Sequence, residues 1–511
     1  MKKIIYLLGI LSLAVITIIN IVFTANLDAS EHIVITQNSI IYIMGLVLLG
    51  ILIFMGTRKL DEYLYKNQDD ERKKKIRKRI FITTFSIYII FNIAWIIFVR
   101  PGIVGDQIHV CNLAQTFFRN NVEEFLPNLT YARIPLSEYI QAYQQQIPLA
   151  FVFSIFFRII HFDGIGLLRI LNVIGNIGIV VALYKITKQL SEKYKTNNIM
   201  LFTLIFTFIS LPMLSTFIYG DTPSLALCLF SVYFMMKYTK EKAIKYPIYA
   251  CICTMVAYMM RMNSLIFIIA TVIYLLLNLF KEIVQDKNWK KSLLSFGIII
   301  AYVIISIFPT TLIENYYLSK YDLDKDKKYP TVSFLLIAME ESWRGNGWYN
   351  EDIGEKALRE PENVKEEYKD RIKERLNYFA ENPAYTIDFY TKKITSMWAE
   401  NTYSAVRSNL TKENDPMEKI TMPLLMYQKT LLLIICITSI IVLIQNRKNI
   451  SLDIIFLLTI FIGGFAFHIL WEAKSRYIIP YIIILIPIAS IAVLSKKQEK
   501  TGVLDGENNE E

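Results

Sequence analysis

The sequence predicts an all-α polytopic membrane protein with about 12 transmembrane helices (a range of 11–13) and two extracytoplasmic loop regions. Three observations predict the membrane bundle. Of 511 residues, 54% are hydrophobic and 20% charged, against roughly 25% charged in an ordinary soluble domain. The charges sit in islands between apolar runs of roughly 17 to 22 residues, the length that carries a helix across a ~30 Å hydrocarbon core. Lysine and arginine concentrate in the short segments between those runs, as orientation in a bilayer requires. The net charge of +10 therefore reflects topology, and nucleic acid is rejected as a partner.

The elements follow in order. Met1-Lys2-Lys3 opens onto an apolar run, 4–24, with no small-residue cleavage site after it, so it reads as a first span rather than a signal peptide. The expected spans are 4–24, 38–56, 80–99, 164–184, 198–218, 223–238, 246–260, 264–280, 292–311, 424–444, 452–470 and 477–494. Arg72-Lys73-Lys74-Lys75 and Arg77-Lys78-Arg79 mark the segment 58–79 as cytoplasmic, and Lys185–Lys195, Lys240–Lys245, Lys281–Lys291, Arg447-Lys448 and the tail from Lys496 join it on that side. Parity then leaves room for one crossing between 100–147 and Lys185, although two apolar runs are present. The run 147–160 is short for a span and reads as re-entrant or interfacial, with a thirteenth crossing as the alternative. A helix is expected over Glu360–Ala380, with Val364, Tyr368, Ile372 and Leu376 on one face.

The chain thus divides into two N-terminal transmembrane helices (1–57), a basic cytoplasmic loop (58–79), and a core transmembrane module (80–312) carrying the outer loop 100–147. An extracytoplasmic region (313–423), C-terminal transmembrane helices (424–495) and a disordered cytoplasmic tail (496–511) complete it.

Candidate chemistry lies where charge meets the membrane surface. Asp106 follows a Pro/Gly-shaped turn, Arg100 to Gly105, just beyond a span. Such a carboxylate can face a cavity and act as a general base, or it can cap the helix that begins at Gln107. Asp221, in Tyr219-Gly220-Asp221-Thr222-Pro223, invites the same two readings. The stretch from Phe467 to Tyr477 holds Glu472, Lys474 and Arg476 between two spans on the outer side. Basic groups there, against the general trend, suggest a held anion such as phosphate, with a local pair to Glu472 as the alternative. Arg261, in a short outer turn with Asn263, is a second phosphate ligand or an interfacial anchor. Trp348 and Tyr349, in a Gly- and Asn-rich run from Trp343 to Asn350, suit a sugar face or a turn with buried tryptophans. The five cysteines are scattered and the four histidines too few for a His-rich metal cluster. No P-loop, His-Glu-x-x-His or nucleophile elbow occurs, which disfavours an ATP-driven transporter.

Taken in order, several motifs form a pattern: Gly105-Asp106, Tyr139 to Gln146, Tyr219-Gly220-Asp221, Arg261-Met262-Asn263, Gly345 to Tyr349, Phe389 to Lys393, and Gly463 to His468 running into Trp471-Glu472-Ala473-Lys474. The pattern resembles the bacterial membrane glycosyltransferases of the GT-C fold, the family 39-like group of protein mannosyltransferases and the aminoarabinose transferase of lipid A. The resemblance implies inverting hexosyl or pentosyl transfer from a polyprenyl-phosphate sugar to an envelope glycan, lipid or protein acceptor, at the extracytoplasmic face of the cell membrane. It implies Asp106 as the catalytic carboxylate, and Asp221, Arg261, His468, Lys474 and Arg476 as donor- or phosphate-binding residues. Gln107, Tyr143, Gln146, Trp348 and Tyr349 would contact substrate. No cofactor is assigned, with a divalent cation as the one candidate. Gln107 stands where many relatives carry a second acid, Tyr143-Gln144 where Tyr-Pro is expected, and residues 1–57 extend ahead of the usual first helix. The competing readings are a transporter or flippase of a lipid-linked glycan, which needs charge deep in the spans, and a non-catalytic scaffold using region 313–423.

Overall fold

The computed structural model describes residues 2–493 except 67, 122–129, 132–133, 287–288 and 412–414. The tail expected to be disordered lies outside the described residues. The chain is an all-α polytopic membrane protein. Among the described residues, nine helices are long and apolar enough to cross a bilayer, and the strands form only two-stranded hairpins.

Two helices open the chain, α1 (Lys2–Val22) and α2 (Ile40–Tyr65), joined by an antiparallel hairpin, β1 (Phe23–Leu27) with β2 (Ile33–Gln37). The helix α3 (Asp70–Phe98) follows, then α4 (Asp106–Arg119), α5 (Leu136–Ala142), α6 (Ile147–Ile160), α7 (Ile165–Leu190), α8 (Asn198–Phe206) and a single turn, α9 (Ser210–Met213). Next come α10 (Asp221–Glu241), α11 (Lys245–Met260), α12 (Leu265–Asp286) and α13 (Trp289–Lys320). The loop region contributes α14 (Thr331–Ile337), α15 (Glu351–Arg359), α16 (Val364–Glu381) and α17 (Pro383–Trp398). The chain returns through α18 (Thr421–Gln445), α19 (Leu452–Ile469), α20 (Ile479–Ile483) and α21 (Ile486–Ala489).

Burial separates the rim from the centre. Only 11% of the most apolar stretch of α2, and of α3, is buried against protein, and Ile41, Met44, Leu48, Leu52, Ile87 and Ile90 are exposed along them. Apolar faces of that extent are stable against lipid rather than water. By contrast 72% of the corresponding stretch of α18 is buried, and Ile478–Ile491 is buried almost throughout.

Several expectations need correction. The segment 58–79 is mostly helical: α2 runs on to Tyr65, and α3 starts at Asp70 behind an Asp69 cap that accepts from Arg72 N. The span expected at 477–494 is a series of short helical turns, because Pro480 and Pro487 each remove a backbone donor. That broken segment still runs from Tyr477 to the loop 195–197, where Asn197 N donates to Ser490 O and Ala492 N to Lys195 O, both at 2.7 Å. The helix expected from Glu360 starts at Val364, and of its predicted apolar face Leu376 is exposed while Val364 and Tyr368 are buried. The 14 residues of α6 rise about 21 Å at ~1.5 Å each, less than a full hydrocarbon thickness.

The basic connections gather at one end, where Lys240 pairs with Glu192, Lys242 with Glu282, and Asp61 accepts from Asn198 N. The other end carries α4, α5 and α14–α17 together with the turns at 218–221, 261–263 and 470–476. The site lies there.

Candidate active site

Two helix starts supply the first carboxylates. Both α4 and α10 are preceded by a glycine with positive φ, Gly105 at 56° and Gly220 at 77°, a backbone region that glycine occupies without a Cβ penalty. Those glycines are the N-caps, so neither aspartate caps its helix. The capping alternative is therefore corrected at both positions. Each aspartate sits in the first turn, where the helix dipole favours negative charge, and each side chain points across to another element.

Asp106 Oδ2 accepts a hydrogen bond from Tyr219 Oη at 3.0 Å, and the same phenol accepts from Gln146 Nε2. Gln107 turns the other way, its Oε1 accepting from Ile218 N at 2.8 Å, so it steadies the turn that carries Tyr219. Asp221 Oδ1 lies 3.0 Å from Arg261 Nε, and its Oδ2 lies 4.0 Å from Arg476 Nε. The Arg261 guanidinium sits 4.6 Å from the centroid of the Tyr219 ring, and that of Arg476 lies 4.0 Å from Phe217 and 5.6 Å from Tyr219. Tyr477 closes the stack, 5.7 Å from Arg261 and 5.5 Å from Arg476. Cations over ring faces are held by the quadrupole as well as by their carboxylate. Tyr219 is thus the hinge of the site, touching Asp106 on one side and both arginines on the other.

Below the charged mouth opens a small cavity of about 50 Å³. Asp221, Arg261 and Arg476 line its polar part, and Leu211, Leu214, Leu225, Phe267, Ile479 and Pro480 its apolar part.

A second group of charges adjoins the first. Lys474 Nζ lies 3.8 Å from Glu472 and 3.9 Å from Glu31, at the tip of the β1–β2 hairpin. Arg407 Nη1 lies 3.2 Å and Arg344 Nε 3.4 Å from the same Glu31 carboxylate. Burial opposes ionisation of Glu31, but Lys474, Arg407 and Arg344 together hold its carboxyl below the usual range. Burial pushes the Glu472 carboxyl up in spite of Lys474 beside it. Burial would favour a neutral Lys474, yet Glu31 and Glu472 outweigh it and the amine stays charged. Burial likewise raises the phenols of Tyr139, Tyr143 and Tyr219, with the nearby Asp106 charge adding to it, so all three remain donors.

The other sequence candidates divide by burial. Tyr143 stacks on Tyr329 at 5.4 Å and adjoins Tyr139, which lies flat on His109 at 4.0 Å, so an aromatic wall leads away from Asp106. Trp348 is 1% exposed and donates its indole N–H to Ser396 Oγ at 2.8 Å, a packing position. Tyr349 is half-buried under the Arg344 guanidinium. His468 is buried against Tyr477 and Tyr481, with no hydrogen bond to either ring nitrogen among the described residues. The neighbouring Lys393 is fully buried and donates to Ala338 O and Ile469 O, both at 2.8 Å, tying the loop region to α19.

Sequence reasoning did not single out Glu31, Arg344 or Arg407, and noticed Tyr219 only as part of its turn. The one available signal was the polar run Thr24 to Ser39, which separates the first two spans. Among the described residues no group of three or more His, Cys, Asp or Glu side chains is placed to hold a metal, and Gln107, beside Asp106, is turned to backbone.

The model of the dolichyl-phosphate-mannose-protein mannosyltransferase family matches residues 147–308, a segment that contains Asp221 and Arg261 but not Asp106, Lys474 or Arg476. No curated protein matches. Among solved structures, the chain is similar to the archaeal oligosaccharyltransferase AglB from Archaeoglobus fulgidus, in complex with an inhibitory peptide and a dolichol-phosphate. The identity is 12% and the TM-score 0.43, over 84% of this chain and 52% of that one, so this chain spans about half the length of that protein. The resemblance to membrane glycosyltransferases of the GT-C fold, read from the motifs, is borne out by the family match at residues 147–308.

Proposed function

We propose that the protein is a membrane glycosyltransferase that moves a sugar, hexosyl or pentosyl, from a polyprenyl-phosphate donor to an extracytoplasmic acceptor with inversion. The acceptor is an envelope glycan, lipid or protein, and the enzyme works in the cell membrane with its site on the outer face. The observation that carries this reading is the junction at Tyr219, where Asp106 meets Arg261, Arg476 and Asp221 above an apolar cavity.

In this reading the donor phosphate lies at Arg261 and Arg476, with Lys474 next along the chain, and the first prenyl units enter the apolar cavity. Asp106 takes the proton of the acceptor hydroxyl as its oxygen attacks the anomeric carbon from the face opposite the phosphate. The bond to the lipid phosphate breaks, and the guanidinium groups stabilise the charge that grows on the leaving oxygen. Tyr219 holds the Asp106 carboxylate toward the reacting centre, and Gln146 holds Tyr219. No step passes through a metal ion.

The test is a transfer assay with the purified full chain in nanodiscs, a panel of prenyl-phosphate hexoses and pentoses, and a membrane fraction as acceptor. Release of prenyl phosphate with inverted configuration in the product is expected for at least one donor. Intact donors across the panel, from protein that melts cooperatively, would count against a transferase.

A further inference from the structure

The N-terminal hairpin places a charge in the site from outside the core of the bundle. Its tip is built to aim one side chain. Asp28 Oδ1 accepts from Ser30 N and His32 N, both at 2.9 Å, closing a tight turn. Glu31 lies within that turn at φ 74°, a left-handed conformation that residues other than glycine rarely adopt. Backbone bonds hold the hairpin down, Ile33 N to Arg344 O at 2.9 Å and Ala25 N to Ala399 O at 3.2 Å. The strained residue is therefore retained by its surroundings, a pattern associated with functional sites.

Glu31 meets three cations that it holds only loosely, two of which also have a second partner, Arg344 Nη1 with Glu351 and Lys474 with Glu472. The two Glu31 oxygens face Arg344, Arg407 and Lys474 at 3.2 to 3.9 Å, longer than the ~2.7–2.9 Å of a well-made charge-assisted hydrogen bond. Among the described residues, the buried Nε groups of Arg344, Arg407 and Arg476 make no hydrogen bond, facing carboxylates only at ion-pair distance or not at all. A group left in that condition loses the benefit of water without gaining a hydrogen bond in its place. A carboxylate has too few oxygens, in too flat an arrangement, to serve this set. A tetrahedral group with three free oxygens matches it better.

We propose that Arg344, Arg407 and Lys474 form an anion subsite for a phosphate group, and that Glu31 of the N-terminal hairpin fills it as a built-in competitor until substrate enters. The phosphate is that of the prenyl donor or one carried by the acceptor, and only this choice of source rests on the transferase reading. Residues 1–57 then act as a gate on the site as well as two added spans: withdrawal of the hairpin tip exposes three cations next to Arg476.

The test is binding of two probes, farnesyl phosphate and inorganic phosphate, to the full chain in nanodiscs, wild type against Glu31→Gln. The amide keeps the size of the side chain and removes its charge. Farnesyl phosphate is expected to bind about tenfold more tightly to the variant, with a steeper salt dependence, and Arg407→Gln added to Glu31→Gln is expected to abolish the gain. A parallel gain for inorganic phosphate assigns the subsite to any phosphate, and a gain for farnesyl phosphate alone assigns it to the lipid donor. Equal or weaker binding of both probes would overturn the proposal and leave Glu31 a structural counter-ion. If Glu31→Gln lowers the melting temperature sharply, Glu31→Asp, which keeps the charge but draws it back by one methylene, must still bind farnesyl phosphate more tightly than wild type or the proposal fails. Tightened phosphate binding without sugar transfer would sink the transferase reading alone. Transfer with unaltered phosphate binding would sink the gate alone.

Discussion

Single side chains decide what this site can do, and two of them read ambiguously in sequence. Asp106 and Asp221 each follow a glycine at a helix start, the place where an aspartate most often caps. Because the glycines take the cap positions, both carboxylates are released for longer-range contacts, with Tyr219 and Arg261. The phenol is the link that can be cut most cleanly. Tyr219→Phe removes the 3.0 Å bond to Asp106 and the acceptor of the buried Gln146 amide and keeps the ring under the arginines, so sugar transfer should fall about tenfold, the worth of one hydrogen bond to a charged group, with only a modest drop in melting temperature from the orphaned amide. An equal loss of stability and activity would instead mark Tyr219 as packing. Lys393 gives a pH signature. Burial holds its amine down at about 7, against roughly 10.4 in an unfolded chain. The unfolded state therefore binds more protons between those values, and stability contributed through Lys393 rises with pH from about 7 toward 10. Thermal melts of wild type should show that rise across pH 7 to 9, and Lys393→Met, less stable overall for orphaning two carbonyls, should lack it.

At the scale of elements, the close approach of α7 to α10 positions Asp221. A Cβ on Gly175 would lie 2.6 Å from Pro223 N and 2.8 Å from Thr222 C, backbone atoms that cannot swing aside. Gly175→Ala must push the start of α10 outward, with a cost of about 1–3 kcal/mol typical of overpacking and weaker donor binding in the same variant. Gly166→Ala is the matched control on α7, since nothing lies within 4 Å of its Cβ; unchanged or slightly raised stability is expected there. The apolar period showed where most helices run, because lipid and protein interior impose the same demand on every residue of a span. It did not reveal that the last expected span breaks into turns at Pro480 and Pro487, since hydropathy is blind to a missing backbone donor. It also missed the β1–β2 hairpin, whose five-residue strands are too short to stand out between two spans.

Across the whole molecule, the site draws on residues from Glu31 to Arg476, and that breadth explains which parts were legible. Asp106, Asp221, Arg261 and Arg476 sit in turns next to spans, so charge at a membrane edge announces them individually. Glu31, Arg344 and Arg407 acquire meaning only by meeting each other, and nothing local marks a partner some 300 positions away. Trp348 shows the converse: an aromatic among glycines reads equally as a sugar platform or as a buried tryptophan in a turn, and here it packs against Ser396. Asp106, proposed as the base of the transfer reaction, is probed by Asp106→Asn in the full chain. The amide can still accept from Tyr219, so donor binding and the melting temperature should stay close to wild type. The rate of sugar transfer should drop by roughly 10²- to 10⁴-fold, the range for losing a general base. Transfer at the wild-type rate by a stably folded Asp106→Asn protein would contradict the account.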